Sequence, residues 1–143
     1  MKNFIFLSLT LFCALTASES NSLLNTTNQY FTFVNRIGGG EAVKVEEASS
    51  ILEPSCRKIF NGSIAATSLD SFVADLHSVY ANFGSWKLIP VEIIDASKDN
   101  VVVFRAIIDS SSIGIYTAIV ILKFSNEGRI TEINEVFSRV ENQ

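Results

Sequence analysis

Apolar residues recur along this chain at two different spacings, and the change between them is settled near residue 85. Leu23, Leu24, Thr27, Tyr30, Phe31, Val34 and Ile37 fall at helical spacing behind Ser20–Ser22, which offer capping side chains. Gly38-Gly39-Gly40 ends that helix as a C-cap and turn. A second helix is expected over Glu41–Leu52, with Val45, Ala48 and Leu52 on one face and Pro54 stopping it. Asn61-Gly62, flanked by Cys56–Phe60 and Ser63–Ala66, is a strong hairpin signal. Thr67 or Ser68 then caps a third helix, with Asp70 or Ser71 completing a capping box. Leu69, Phe72, Val73, Leu76, Val79, Tyr80 and Phe83 form its single apolar stripe, and Gly84 closes it.

From there the pattern is all strand. Trp86–Ile94, Val101–Asp109, Ile113–Phe124 and Arg129–Phe137 are rich in Val, Ile and aromatics and are separated by short polar turns. Strands joined so tightly pair antiparallel. Helices first and a meander afterwards define an α+β domain, with a curved antiparallel sheet wrapped around three N-terminal helices. The strand over Ile113–Phe124 is apolar on both faces, as in a strand covered on both sides. One face packs on the helices. Nothing else in the chain covers the other, and the expected partner is a second copy, in a homodimer through the outer sheet face.

The first residues change the picture of where this domain works. Met1-Lys2-Asn3, the apolar stretch Phe4–Leu15 and the small residues Thr16-Ala17-Ser18 read as a cleaved export signal over 1–18, ahead of one domain over 19–143. The apolar stretch is short for a membrane span and is followed at once by Glu19. Export to a periplasm or to the exterior is therefore expected, with no membrane attachment after cleavage. A lipid anchor on Cys13 is disfavoured by Phe12, which stands where a small residue is wanted. Loss of Cys13 with the leader leaves Cys56 alone, so no internal disulfide can form and a small buried hydrophobe is the ordinary role. Asn25-Thr26-Thr27 and Asn61-Gly62-Ser63 are glycosylation tripeptides, meaningful only in a eukaryotic host.

Charge narrows the partners. The net charge is −4, and removal of Lys2 makes it about −5, without basic runs. Nucleic-acid binding needs a basic footprint to neutralise phosphates, and none exists here. No cofactor is expected: the ligand spacings of metal sites and the glycine-rich strand-to-helix turn of nucleotide sites are both missing.

The order helix, helix, hairpin, amphipathic helix, four-strand meander resembles the nuclear transport factor 2-like superfamily, and within it the SnoaL-like proteins. The resemblance runs from about Leu23 to Val140. It is carried by Cys56-Arg57-Lys58-Ile59-Phe60-Asn61-Gly62, by Tyr80-Ala81-Asn82-Phe83-Gly84-Ser85-Trp86, and by the closing Gly128-Arg129-Ile130-Thr131-Glu132-Ile133-Asn134-Glu135-Val136-Phe137. It implies a cystatin-like cone enclosing a hydrophobic cavity. Members include isomerases, cyclases, epoxide hydrolases and dehydratases, along with domains that have no known catalysis. The enzymes place an Asp, Glu or His beside Tyr or Arg donors in the cavity, where burial moves pKa values toward neutrality.

Glu135 resembles the acidic position of the family's closing motif and shares a strand face with Ile133 and Phe137. It is the first catalytic candidate, against the plain alternative of a rim carboxylate or a salt-bridge partner. His77, the chain's only histidine, is the second, at the edge of the third helix's stripe; a solvent-bonded helix-boundary histidine is its plain alternative. Tyr30, Tyr80, Trp86, Arg105 and Tyr116 are the candidate pocket-lining residues, although aromatics at such positions also serve simply as core. Arg105 and Asp109 share a strand face and are similar to the arginine–carboxylate arrangement of the family's epoxide hydrolases, but a second carboxylate is missing and a surface ion pair is the simpler role. Two functions remain open. One is a pocket for a small apolar ligand, with or without isomerase or dehydratase chemistry. The other is a non-catalytic interaction module whose interior is filled by Phe31, Phe72, Phe83 and Trp86. A cystatin-type inhibitor is a poor third reading, since the Gln-x-Val-x-Gly loop and the paired cysteines are missing.

Overall fold

A computed structural model describes residues 22–97 and 99–140, with the side chains of all of these except 95–97. The expected leader over 1–18 lies outside the described residues. Helix α1 covers residues 22–38. Of the stripe its spacing predicts it buries Leu23, Thr27, Tyr30, Phe31, Val34 and Ile37 but leaves Leu24 half-buried, and it buries Phe33 in addition. Two aromatic contacts fix its place. Phe31 meets Phe104 edge-on at 4.7 Å, and Phe33 stacks on Phe72 at 6.5 Å. The first contact joins α1 to the sheet, and the second joins it to the long helix below.

The helix expected over Glu41–Leu52 is cut to one turn, α2, Val45–Ala48. Leu52 instead opens strand β1, Leu52–Phe60, and is fully buried. A strand partner far along the chain outcompetes the local helical pattern: Leu52 stands opposite Ile130, and the Ile130 N–H donates to the Ile51 carbonyl at 2.8 Å. Pro54 therefore does not end a helix. It sits inside β1 where the register slips between Leu52 and Arg57, so its missing N–H costs no ladder bond there.

Strand β2, Ser63–Ala66, folds back on β1 through Asn61-Gly62, whose φ values of 47° and 81° are those of a tight hairpin turn. Helix α3, Leu69–Phe83, starts at Ser68, with Ser68 and Ser71 forming the reciprocal capping box. Strands β3 (Trp86–Ser97), β4 (Val101–Ser110), β5 (Gly114–Phe124) and β6 (Ile130–Arg139) follow as an antiparallel meander. The six strands form one sheet in the order β2-β1-β6-β5-β4-β3. The sheet is mixed rather than wholly antiparallel, because β1 and β6 run parallel. Pro90 lies on the edge strand β3, where one row of N–H groups needs no partner.

Along β4, Val102, Phe104, Ala106, Ile108 and Ser110 are buried, and the residues between them are more exposed. The buried set faces the helices. On the opposite face Ile115, Ile119 and Val136 remain exposed, at 50%, 37% and 55%, and Ile119 and Val136 are direct cross-strand neighbours. The exposed apolar face expected from the β5 sequence is present. No described helix is long and apolar enough to cross a membrane.

Candidate functional site

Between the helix side of the sheet and α3 lies a cavity of about 460 Å³. Its walls are mostly apolar: Val34 from α1, Leu76, Val79 and Phe83 from α3, and Ile108, Tyr116 and Phe137 from the sheet. Partly exposed Phe60 and Phe83 contribute at its margin, with Phe60 edge-on to Phe137 at 5.0 Å. A cavity of this size is in the range that takes small organic ligands.

One end carries charge. Alternation along β1 turns Cys56 and Lys58 inward, and alternation along β6 does the same for Ile133 and Glu135. Because β1 and β6 pair, Lys58 and Glu135 meet. The Lys58 Nζ lies 3.4 Å from Glu135 Oε2 and donates to Asp75 Oδ2 on α3 at 2.9 Å. The Tyr30 hydroxyl donates to Glu135 Oε1 at 3.1 Å. Lys58 and Glu135 are each 5% exposed and Tyr30 is 1% exposed. Burial is the largest single influence on Lys58 and works against its charge. Glu135 and Asp75 together outweigh it and lift the ammonium's pKa above the ordinary lysine value. Burial, followed by the charge of Glu135, pushes the Tyr30 phenol well above its ordinary 10.0.

The other end carries neutral donors. Trp86 and Ser110 are directly paired across β3 and β4, and both line the cavity. Trp86 is held by α1. Asn35 donates through Nδ2 to the Leu88 carbonyl at 2.9 Å and accepts from the Leu88 N–H at 2.7 Å. Gly38, buried at the last turn of α1, lets the tryptophan approach: a Cβ there would stand 2.4 Å from the Trp86 carbonyl oxygen and 2.9 Å from its ring. The glycine run is thus more than a C-cap. Gly40 makes similar room for the Tyr80 hydroxyl.

The candidates named from sequence separate accordingly. Glu135, Trp86 and Tyr116 line the cavity, and Tyr30 stands behind Glu135. Arg105 does not line it. It occupies the outward parity of β4 and pairs there with Glu92 at 2.8 Å, not with Asp109. Tyr80 is 36% exposed and points to Gly40 rather than into the cavity. His77 lies off the cavity lining, with Nε2 3.1 Å from the Val43 carbonyl oxygen, so its ring ties α3 to the segment before α2. Glu132, the neighbouring carboxylate of β6, is held by Lys123 at 2.8 Å and by Arg57. Lys123 first and Arg57 second keep its pKa below the ordinary carboxylate value. Cys56 is fully buried, and burial, aided by Glu132 and Glu53, pushes its thiol up to about 12, which makes it a core residue rather than a nucleophile. Phe31 and Phe72 pack in the core and Phe83 and Trp86 line the cavity, which they do not fill. Lys58 and Asp75 were missed by sequence reading. Their signal was present in strand parity for Lys58 and in the i, i+3 spacing of Asp75 from Phe72, but the pairing that joins them is not local.

No family model and no curated protein matches this chain. Solved structures do. A protein of the SnoaL-like family from Agrobacterium tumefaciens, proposed to be an isomerase, aligns with a TM-score of 0.67 and 12% identity, over 83% of this chain and 99% of its own. IdmH from Streptomyces antibioticus, proposed to be a polyketide cyclase, aligns at 0.64 and 12%, over 81% and 91%. A nuclear transport factor 2-like protein of unknown function from Burkholderia pseudomallei aligns at 0.65 and 16%, over 82% and 91%. The chain has the nuclear transport factor 2-like fold of the SnoaL-like proteins. At these identities the likeness is one of fold.

Proposed function

We propose that this is an exported single-domain protein that binds a small, predominantly apolar ligand in its cone cavity. The observation that carries the reading is the cavity of about 460 Å³, left open although the described residues include eight Phe with the bulk to fill it. The ligand is bound chiefly by burial of apolar surface, at about 25 cal/mol per Å² before the costs of association. Titration with the neutral fluorophore N-phenyl-1-naphthylamine tests this. Saturable binding that is lost in Val79→Phe, which narrows the cavity wall, supports the reading. Binding that ignores the substitution places the dye elsewhere and defeats it.

A second reading has one specific observation behind it. Glu135, a carboxylate at the cavity wall, is joined to both a phenol and an ammonium. That array resembles the acid–base sets of isomerases and dehydratases, in which a carboxylate moves a proton beside hydrogen-bond donors. Against it, Glu135 is already engaged at both oxygens, so its geometry suits anchoring better than proton abstraction. Solvent deuterium exchange into the α-position of a bound ketone, abolished in Glu135→Gln, is the outcome that would favour the enzyme.

The outer sheet face is proposed as a homodimer interface. Ile115, Ile119 and Val136 form an exposed apolar patch on a face that no helix of the described chain covers. A two-fold contact would bury it against itself. Sedimentation of a monomer at micromolar concentration, unchanged in Ile119→Asp, would exclude this arrangement.

A further inference from the structure

The cavity's donor end points to the chemistry of the ligand, an inference that rests on the binding reading above. Trp86 Nε1 and Ser110 Oγ are the two buried side-chain polar atoms without a hydrogen-bond partner among the described residues. Trp86 is 9% exposed and Ser110 is 5% exposed, and both line the cavity. They face one another across the β3–β4 pair, so their side chains rise from the same side of the sheet. Leaving a buried donor unpaired forfeits the hydrogen bond it had to water, and native structures rarely do so twice at one spot without a reason.

An indole N–H only donates, and a serine hydroxyl can donate beside it. Two donors side by side suit one oxygen with two lone pairs. The charge of that oxygen follows from the rest of the lining. Lys58 is the sole cation among the lining residues and is already matched by Asp75 and Glu135. The polar lining therefore offers an anion no free counter-charge. The charged cluster is also far away. Glu135 lies in register with Val120, and Val120 with Phe104, which puts it two strands and six residues from Ser110. At roughly 4.8 Å per strand and 3.4 Å per residue, the two ends lie on the order of 20 Å apart along the sheet.

We propose that the Trp86–Ser110 pair is a binding subsite for a neutral carbonyl oxygen, and that the ligand is an uncharged ketone, ester or lactone on an apolar body. Trp86 Nε1–H and Ser110 Oγ–H both donate to that oxygen, and Ile108 and Tyr116, paired on the adjoining strands, flank the body.

Three probes of one shape test it: 2-acetylnaphthalene, 2-ethylnaphthalene and 2-naphthoate, each titrated by calorimetry against the wild-type chain, Ser110→Ala and Trp86→Phe. The ketone is expected to lose roughly 3- to 10-fold in affinity in each variant, the worth of one neutral hydrogen bond. The hydrocarbon is expected to bind the variants at least as well as the wild type, and the carboxylate at least tenfold more weakly than the ketone. Equal losses for ketone and hydrocarbon would mean that the two residues only shape the wall, and would overturn the subsite while leaving the pocket standing. Naphthoate binding as tightly as the ketone would overturn the neutral-carbonyl assignment. If none of the three binds, the pocket reading falls with it. Ser110→Ala removes one oxygen at a strand end, so the test does not depend on Trp86→Phe folding.

Discussion

Replacing Lys58 by Met removes a charge and keeps the length of the side chain, so it isolates what the ammonium does. Lys58 stands 2.9 Å from Asp75 and 3.4 Å from Glu135, both within direct-contact range. At an effective dielectric constant near 20, each attraction is about 5–6 kcal/mol, of which the desolvation of a nearly buried ammonium cancels a large part. The two carboxylates do not share the consequence equally. The Asp75 side chain is 27% exposed and can recover water, whereas that of Glu135 is 7% exposed and cannot. Lys58→Met is therefore expected to cost about 3–5 kcal/mol, chiefly by stranding Glu135. A second substitution, Glu135→Gln, should restore most of that loss, while Asp75→Asn should restore little. Urea denaturation followed by far-ultraviolet circular dichroism and by the fluorescence of Trp86 measures all four proteins. A loss below about 1 kcal/mol, or equal rescue by the two second-site changes, would refute the reasoning.

The remaining predictions concern packing, pH and the hairpin. Gly38→Ala should be destabilising by about 1–3 kcal/mol, because the clash with Trp86 exceeds the roughly 0.5–1 kcal/mol that Ala adds to a helix; a thermal melt and a shifted Trp86 emission report it. Cys56 and Tyr30 both have folded-state pKa values above their unfolded ones, so their stabilisation is whole below about pH 9 and declines as pH rises toward 12. Urea titrations from pH 7 to 11 should be flat at first and then fall, and Cys56→Ala should delay the fall. Gly62→Ala places a Cβ at φ 81° and should cost about 1–2 kcal/mol. Asn61→Gly keeps the turn but loses the bond from the Phe137 N–H to Asn61 Oδ1 at 2.8 Å, a smaller loss of about 1 kcal/mol that the same denaturation experiment resolves.

How much of this was legible before the structure depended on how far apart the interacting residues lie. The α3 helix, its Ser68–Ser71 cap, the Asn61-Gly62 hairpin and the meander rest on neighbours within one turn or one hairpin, and each emerged where the pattern placed it, although the α3 stripe is buried only from Leu69 to Leu76 and its Tyr80 and Phe83 are exposed. Val45, Ala48 and Leu52 fit a helix equally well by spacing, and only pairing with Ile130 decides that Leu52 belongs to a strand. Parity alone turned Glu135 inward with Ile133, but its partners Lys58 and Tyr30 come from β1 and α1. Arg105 and Asp109 have the same parity on β4, which marked them as a pair without saying that the face was the outer one. The open donors of Trp86 and Ser110 had no sequence signature, since an unmet hydrogen bond exists only once every other partner has been placed.

The position of β6 has a consequence for how the chain is made. This last strand is seated between β1 and β5, and its parallel contact with β1 joins residue 52 to residue 130. Until it emerges, β1 and β2 form a detached hairpin and β5 is a raw sheet edge, so no earlier stopping point on the chain has a closed sheet. Folding of this sheet must wait until the chain has been made past residue 130, and closing so long a loop makes the domain a slow folder. A truncation anywhere before residue 130 would therefore remove the whole fold at once rather than weaken it by degrees.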